Sequence, residues 1–88
     1  YRLVFIGNHR SILSPGDILV EQYSNDYNLY VIDEGNVNIF QFLDSFNKQY
    51  MGFLETGSFL NLIAALFNTE PTSTIECKTY STVAKIEK

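Results

Sequence analysis

Residues able to bind a ligand concentrate in one apolar run, GSFLNLIAALFNTEPTSTI, which extends from Gly57 to Ile75. A Gly-Ser pair opens the run, and a proline followed by three hydroxyl residues closes it. A short helix beginning near Ser58 would leave backbone N–H groups unpaired at its start, and these groups suit an anion. The run therefore predicts either a helix that fills the core or a cradle for an anionic ligand.

Sets of catalytic or metal-binding residues are missing from the sequence. One histidine, His9, and one cysteine, Cys77, are too few for a zinc site, a nucleophile triad or the metal cluster of a cupin-type enzyme. Phosphate-loop, dinucleotide-binding and nucleophile-elbow motifs are also absent. We therefore predict no enzyme activity, no catalytic residue and no metal, and we expect Cys77 to be a small buried residue.

The net charge and the hydropathy of the chain limit the kinds of partner it is expected to bind and the cellular compartment expected for it. The 88 residues carry a net charge of −4, and the six basic residues are scattered along the chain. This sign and distribution argue against nucleic acid or an anionic membrane surface as a partner. The apolar runs are shorter than the roughly 18 residues of a membrane span. The single cysteine and the lack of a signal peptide predict a cytoplasmic protein.

Length and the ends of the sequence predict the domain organisation. Eighty-eight residues make one domain, over residues 1–88. The chain starts without an initiator methionine and stops directly after the last predicted strand, so we expect it to be a piece of a larger protein.

Short strands and glycine-containing turns make up most of the chain. We predict strands over residues 2–6, 18–22, 29–33, 36–42, 49–54, 72–77 and 81–87, with turns that include Gly7-Asn8 and Glu34-Gly35. Strands at this spacing of roughly 8–12 residues indicate an antiparallel barrel or sandwich.

The exception is a predicted helix over residues 59–67, with Ser58 as its N-cap and Asn68 at its end. We expect its large apolar residues to lie in the core: Phe59, Leu60, Leu62, Ile63, Leu66 and Phe67.

Four of these segments, taken in order, resemble the cyclic nucleotide-binding domain superfamily. They are the PGD turn of residues 15–17, the hairpin LYVIDEGNVNIF of residues 29–40, the GSF that opens the helix, and PTSTI at residues 71–75. The resemblance covers about residues 12–86. It implies a mainly β fold: an antiparallel β-roll or jelly-roll barrel, a cupin-like double-stranded β-helix, with one short helix. It also implies lid helices after the last strand, which this chain lacks.

The same resemblance assigns a ligand pocket. Binding members carry a cassette similar to G-D-x-F-G-E-x-A-L, followed by P-R-x-A-T-V. Gly57 and Ala64 match that pattern, and Thr74 stands at its threonine. The pocket residues that the resemblance implies are Gly57, Ser58, Asn61, Leu62, Ile63, Ala64, Pro71, Thr72, Ser73 and Thr74.

Departures from the cassette fall on its ligand contacts. Asn61 replaces the helix-opening glycine, Leu62 replaces the glutamate that accepts the ribose 2′-hydroxyl, and Pro71 replaces the arginine that pairs with the phosphate. Two glycines of the family's preceding loop are replaced as well, by Tyr23 and Asp26.

The binding free energy lost at these positions indicates how strongly the departures weaken cyclic nucleotide binding. Charge-assisted hydrogen bonds contribute roughly 1.5–3 kcal/mol each, so losing two of them costs about 3–6 kcal/mol. A micromolar site would then weaken by roughly 10²–10⁴. No lysine or arginine lies between Lys48 and Lys78, and Glu70 adds a negative charge beside Pro71. We therefore predict a degenerate phosphate-binding cassette, with no cofactor beyond weak cAMP or cGMP held by neutral donors.

Two functions remain open from the sequence. The first is a non-catalytic regulatory and interaction module, resembling the homology domain of a voltage-gated or cyclic-nucleotide-type cation (potassium) channel. Its partners would be other domains or subunits of the parent protein at the cytosolic face of a membrane. The alternative is a functional cAMP or cGMP sensor in a channel, an exchanger, an exchange factor or a regulatory protein of the protein kinase A type.

Overall fold

The computed structural model describes residues 5–86 as two antiparallel sheets with one short helix. The first sheet has the strand order β1-β8-β3-β6, and the second has the order β2-β7-β4-β5. The strands are β1 (Phe5–Leu13), β2 (Ile18–Val20), β3 (Leu29–Glu34), β4 (Asn36–Phe42), β5 (Lys48–Glu55), β6 (Phe59–Leu60), β7 (Thr74–Cys77) and β8 (Ser81–Ile86), and the helix is α1 (Leu62–Phe67).

The core lies between the two sheets and follows from residue alternation along the strands. Val37 of β4 is fully buried, whereas its neighbours Asn36 and Asn38 are only partly covered, as expected for a strand with one face on a core. Seven buried residues fill the space between the sheets: Val20, Ile32, Val37, Leu60, Ile75, Cys77 and Val83. The predicted mainly β antiparallel architecture is confirmed.

The turn between β3 and β4 requires glycine, which confirms its prediction at Glu34-Gly35. Gly35 has φ 117, and a Cβ at this position would lie 2.2 Å from Ser81 Oγ and 2.8 Å from Ser81 Cα. Because part of that obstacle is backbone, no side chain fits.

The first strand differs from its prediction. β1 continues through Gly7-Asn8, where we expected a turn, and its pairing with β8 shifts register between Phe5 and Arg10. Such an irregularity absorbs extra residues without ending the strand, so β1 extends to Leu13 and replaces both the predicted strand 2–6 and the turn expected after it. Residues 2–4 of that prediction lie outside the described residues, as does residue 87 of the last predicted strand.

β2 and β7 are shorter than predicted because side chains and loops compete for their backbone groups. β2 ends at Val20, since the N–H of Gln22 bonds to the Thr74 hydroxyl at 3.1 Å and the N–H of Tyr23 bonds to the Pro71 carbonyl at 2.7 Å. β7 accordingly begins at Thr74.

The helix begins three residues later than the prediction places it. Phe59 and Leu60 pair with Val31 and Tyr30 as strand β6, so the prediction of Ser58 as the N-cap is wrong. Asn61 occupies that position, and Asn68 ends the helix in a left-handed conformation, as predicted.

Most of the large apolar residues predicted for the core are exposed. Leu60 is buried, with 1% of its surface accessible, but the other five have accessible fractions between 42% and 68%. The helix is only six residues long and buries only its small residues Ala64 and Ala65, so its larger side chains remain largely accessible. These five residues form an uncovered apolar face on the helix side of the molecule: Phe59, Leu62, Ile63, Leu66 and Phe67.

Cys77 is buried, as predicted, and burial raises the pKa of its thiol. Over the described residues, no helix has the length and apolar character needed to cross a bilayer.

Candidate functional site

A cleft of about 190 Å³ lies between the start of α1 and the segment that leads into β7. Ile39, Leu54 and Ile75 reach it from the second sheet. On the helix side, Phe59, Leu60, Leu62 and Ile63 line it. A cleft therefore lies where the sequence predicted a cradle, and its walls are mostly apolar.

Seven of the ten residues implied by the family resemblance line this cleft: Asn61, Leu62, Ile63, Ala64, Pro71, Thr72 and Ser73. Gly57 and Ser58 belong to the turn before β6, where the Gly57 N–H bonds to the Ile32 carbonyl and the Ser58 carbonyl accepts the Ile32 N–H. These two residues shape the approach to the cleft without lining it.

Thr74 is the third residue outside the cleft. Successive side chains of a strand point to opposite faces, so Ile75 faces the cleft and Thr74 faces the outer side of the sheet. There the Thr74 hydroxyl accepts the N–H of Gln22 and is buried. Sequence alignment alone does not reveal this, because the register of β7 decides it.

Asn61 joins the helix start to the loop before β3. Its backbone is left-handed, with φ 63, a conformation that asparagine tolerates better than most residues. Its side-chain amide donates to the carbonyl oxygens of Asp26 at 2.8 Å and Asn28 at 3.0 Å. Asn61 therefore keeps a left-handed backbone, which a glycine at this position could also adopt, and its side chain adds two hydrogen bonds that glycine could not make.

Asp26 organises the same loop. One of its carboxylate oxygens accepts the N–H and the side-chain amide of Asn28, both at 3.0 Å, and the other accepts the Tyr30 hydroxyl at 2.9 Å. Burial first, and then the charge of Asp26, raise the pKa of Tyr30 to about 12. The sequence reasoning did not identify this network, although an aspartate two residues before an asparagine is a recognisable turn signal.

The electrostatics of the cleft do not suit an anion. Among residues 5–86, Glu70 is the single charged residue in its lining, and no lysine, arginine or histidine of that range lines it. Pro71, at the position of the family's arginine, is buried, and its carbonyl is occupied by the N–H of Tyr23. Among the described residues no cluster of histidine, cysteine and carboxylate side chains is suited to a metal ion.

Solved structures share this fold. The chain is similar to cAMP-bound PfPKA-R (141–441), with a TM-score of 0.83 and 20% identity over 89% of this chain and 28% of that one. It is similar to the Thermus thermophilus catabolite activator protein, with a TM-score of 0.80 and 16% identity over 86% of this chain and 36% of that one.

A third structure of this kind is the regulatory subunit of a cAMP-independent protein kinase A from Trypanosoma cruzi, bound to guanosine. The TM-score is 0.79, with 19% identity over 88% of this chain and 27% of that one. The chain thus spans between 27% and 36% of these three solved chains. No curated protein matches it significantly.

A family model described as "Cyclic nucleotide-binding domain" matches residues 10–88. That match covers most of the sequence and agrees with the two sheets, the short helix and the cleft described above. The chain therefore belongs to the cyclic nucleotide-binding domain family.

Proposed function

We propose that this domain is a non-catalytic regulatory module whose cleft does not hold a cyclic nucleotide tightly. The observation that carries the proposal is the charge of the cleft: Glu70 lines it, and no cationic side chain of the part of the chain that the structure describes does so. A cyclic phosphodiester bears one negative charge, and a buried or partly buried charge needs a partner of opposite sign.

Two substitutions weaken cyclic nucleotide binding for separate reasons. Pro71 supplies no positive charge and no N–H donor, so the phosphate loses its pairing group. Leu62 supplies no acceptor, so a ribose hydroxyl that reaches it stays unpaired. Together these losses amount to about 3–6 kcal/mol of binding free energy.

Calorimetric titration with cAMP and with cGMP tests the proposal. We expect dissociation constants weaker than about 10 μM for both nucleotides, which corresponds to less than about 7 kcal/mol of binding free energy. Tighter binding by the unaltered chain would overturn the proposal and favour the alternative, a functional cyclic nucleotide sensor.

A gain-of-function variant makes the same test sharper. Leu62→Glu with Pro71→Arg restores both charged contacts, and we expect cAMP to bind at least about tenfold tighter than to the unaltered chain. Glu70→Gln is a single substitution with a smaller expected effect on cAMP affinity. It removes the charge that repels the phosphate and leaves the buried Pro71 in place. We expect it to tighten binding only a few-fold.

A second candidate ligand is an uncharged nucleoside. The observation that favours it is again Glu70 in the lining of the cleft. A carboxylate repels a phosphate group, but it accepts hydrogen bonds from the hydroxyl groups of an uncharged sugar. Guanosine is bound in the related Trypanosoma cruzi structure, which supports the chemistry without assigning it to this chain. Titration with adenosine and guanosine tests this, and a nucleoside that binds no better than its cyclic monophosphate would exclude it.

The parent protein is also a matter of proposal. From the sequence we propose a cation channel of the potassium or cyclic-nucleotide-gated kind, with the domain on the cytoplasmic side and contacting neighbouring subunits. Similarity in fold to kinase regulatory subunits supports the alternative parent equally well. Adjoining coding sequence decides: six membrane spans would support a channel, and a second domain of this family would support a kinase regulator.

A further inference from the structure

A second concavity lies on the opposite side of the second sheet from the cleft. This groove, of about 510 Å³, separates the loop after β2 from the tip of the β4–β5 hairpin. Thr74, which faces away from the cleft, lies in its lining, together with Tyr23, Phe42 and Leu43. The function proposed for the cleft does not involve this groove.

Tyr23 has an unfavourable backbone conformation at this groove. Its φ is 62, in the left-handed region that bulky residues rarely adopt. Two hydrogen bonds from backbone N–H groups keep Tyr23 in this conformation. The Gln22 N–H donates to the Thr74 hydroxyl, and the Tyr23 N–H donates to the Pro71 carbonyl. The ring is not buried in return, because 64% of the residue is exposed. Strain of this kind at an exposed aromatic residue is typical of a functional position.

The groove is held in shape by polar contacts on both sides. The Gln22 side chain donates to the Phe42 carbonyl at 3.1 Å and accepts the Phe42 N–H at 2.7 Å. At the hairpin tip, Asp44 accepts the backbone N–H groups of Phe46 and Asn47. The groove therefore needs little ordering to receive a partner, which favours binding.

The lining combines apolar surface with negative charge. Ile18, Phe42 and Leu43 are exposed apolar residues, and Leu43 is 65% accessible. Of the residues that the structure describes, Glu21 and Asp44 are the charged ones in the lining, and no lysine or arginine of that set is part of it. Hydrogen bonds to the Asn47 side chain and the Phe46 backbone lower the pKa of Asp44, so its carboxylate is charged at neutral pH.

We propose that this groove docks a basic segment of a partner protein, in which arginine or lysine alternates with apolar residues. The apolar side chains would cover Phe42 and Leu43, and a guanidinium or ammonium group would lie over the exposed Tyr23 ring near Glu21. A second copy of this chain fits less well, because each copy has a net charge of −4.

Selection of short random peptides displayed on phage against the immobilised chain tests the proposal. We expect the selected peptides to be rich in arginine, lysine and large apolar residues. Tyr23→Gly should weaken their binding by at least about tenfold, as expected for a central aromatic anchor, while the melting temperature stays the same or rises. Glu21→Gln should weaken binding a few-fold, with the remaining binding less sensitive to salt.

Phe67→Ser provides a matched control, because Phe67 is 68% exposed and lies in the helix, outside the groove lining. It should leave peptide binding unchanged. Three outcomes would overturn the proposal: no enriched peptides, enriched peptides without basic residues, or equal binding to Tyr23→Gly and the unaltered chain. A dimer in solution that Tyr23→Gly dissociates would identify a second copy as the occupant instead.

Discussion

Asn61 and Tyr23 have nearly the same backbone conformation, with φ 63 and 62, but differ in how well the residue suits it. Both stand where the family resemblance places a glycine. Asparagine is one of the few residues that enter the left-handed region at low cost, whereas tyrosine is not. The Asn61 side chain is also bonded to two carbonyl oxygens, while the Tyr23 ring is largely exposed.

This difference separates replacements that maintain a fold from replacements that cost stability. At Asn61 the chain loses glycine's freedom and gains two hydrogen bonds, so a structural role accounts for the residue. At Tyr23 the fold bears a cost of about 1–2 kcal/mol with no compensating burial. We therefore interpret Asn61 as part of the scaffold of the cleft and Tyr23 as a residue that serves an interaction.

The largest expected effect comes from Asn61→Leu. Leucine pays about 1–2 kcal/mol for the left-handed backbone and leaves the carbonyls of Asp26 and Asn28 without their donor, at about 1 kcal/mol each. We expect the free energy of unfolding to fall by about 3–4 kcal/mol in urea titration. Asn61→Gly keeps the conformation and loses only the two bonds, so its loss should be smaller, about 2 kcal/mol. Equal losses for the two variants would show that the backbone conformation contributes nothing.

A smaller effect, of opposite sign, is expected at Tyr23. Tyr23→Asn places a residue suited to the left-handed region there, and we expect unfolding to become harder by up to about 1 kcal/mol. Tyr23→Val adds a branched Cβ at the same backbone angles and should lose about 1 kcal/mol. For a domain of this size, each 1 kcal/mol shifts the melting temperature by about 4–8 °C, which differential scanning fluorimetry resolves. If asparagine destabilised the chain, the ring of Tyr23 would have a structural role after all.

The same pair of residues shows how far the sequence predicts the structure. Alternation along β4 and the glycine turn at Gly35 are local signals, so the hairpin was predicted with its strand ends within a residue. The family pattern located the cleft, and seven of its ten implied residues line it. The αL conformation at Tyr23 has no local signal, because tyrosine ordinarily avoids it and long-range bonds to Thr74 and Pro71 impose it.

The helix was mispredicted for a related reason. An apolar run from Phe59 to Phe67 has no polar face that would indicate which side is buried. Pairing of Phe59-Leu60 with β3 removes two residues from the helix, and Ala64 and Ala65 then make the close contacts. Both facts depend on residues about 30 positions away in the chain, which no local window contains.

The smallest expected effect concerns Tyr30, whose hydroxyl donates to the carboxylate of Asp26 in the loop that Asn61 joins. Burial and the Asp26 charge raise the pKa of Tyr30 to about 12, above its ordinary value of 10.0, so the folded state favours the protonated phenol. Its stabilising contribution is complete below pH 10 and is lost as the pH rises towards 12. We expect the melting temperature to fall over that interval, and to fall less steeply in Tyr30→Phe, which has no phenol to titrate. Because Tyr30 is only partly buried, solvent screening keeps the difference small. Parallel melting curves for the two proteins between pH 9 and 12 would show that neither burial nor Asp26 raises the pKa of Tyr30 in the folded state.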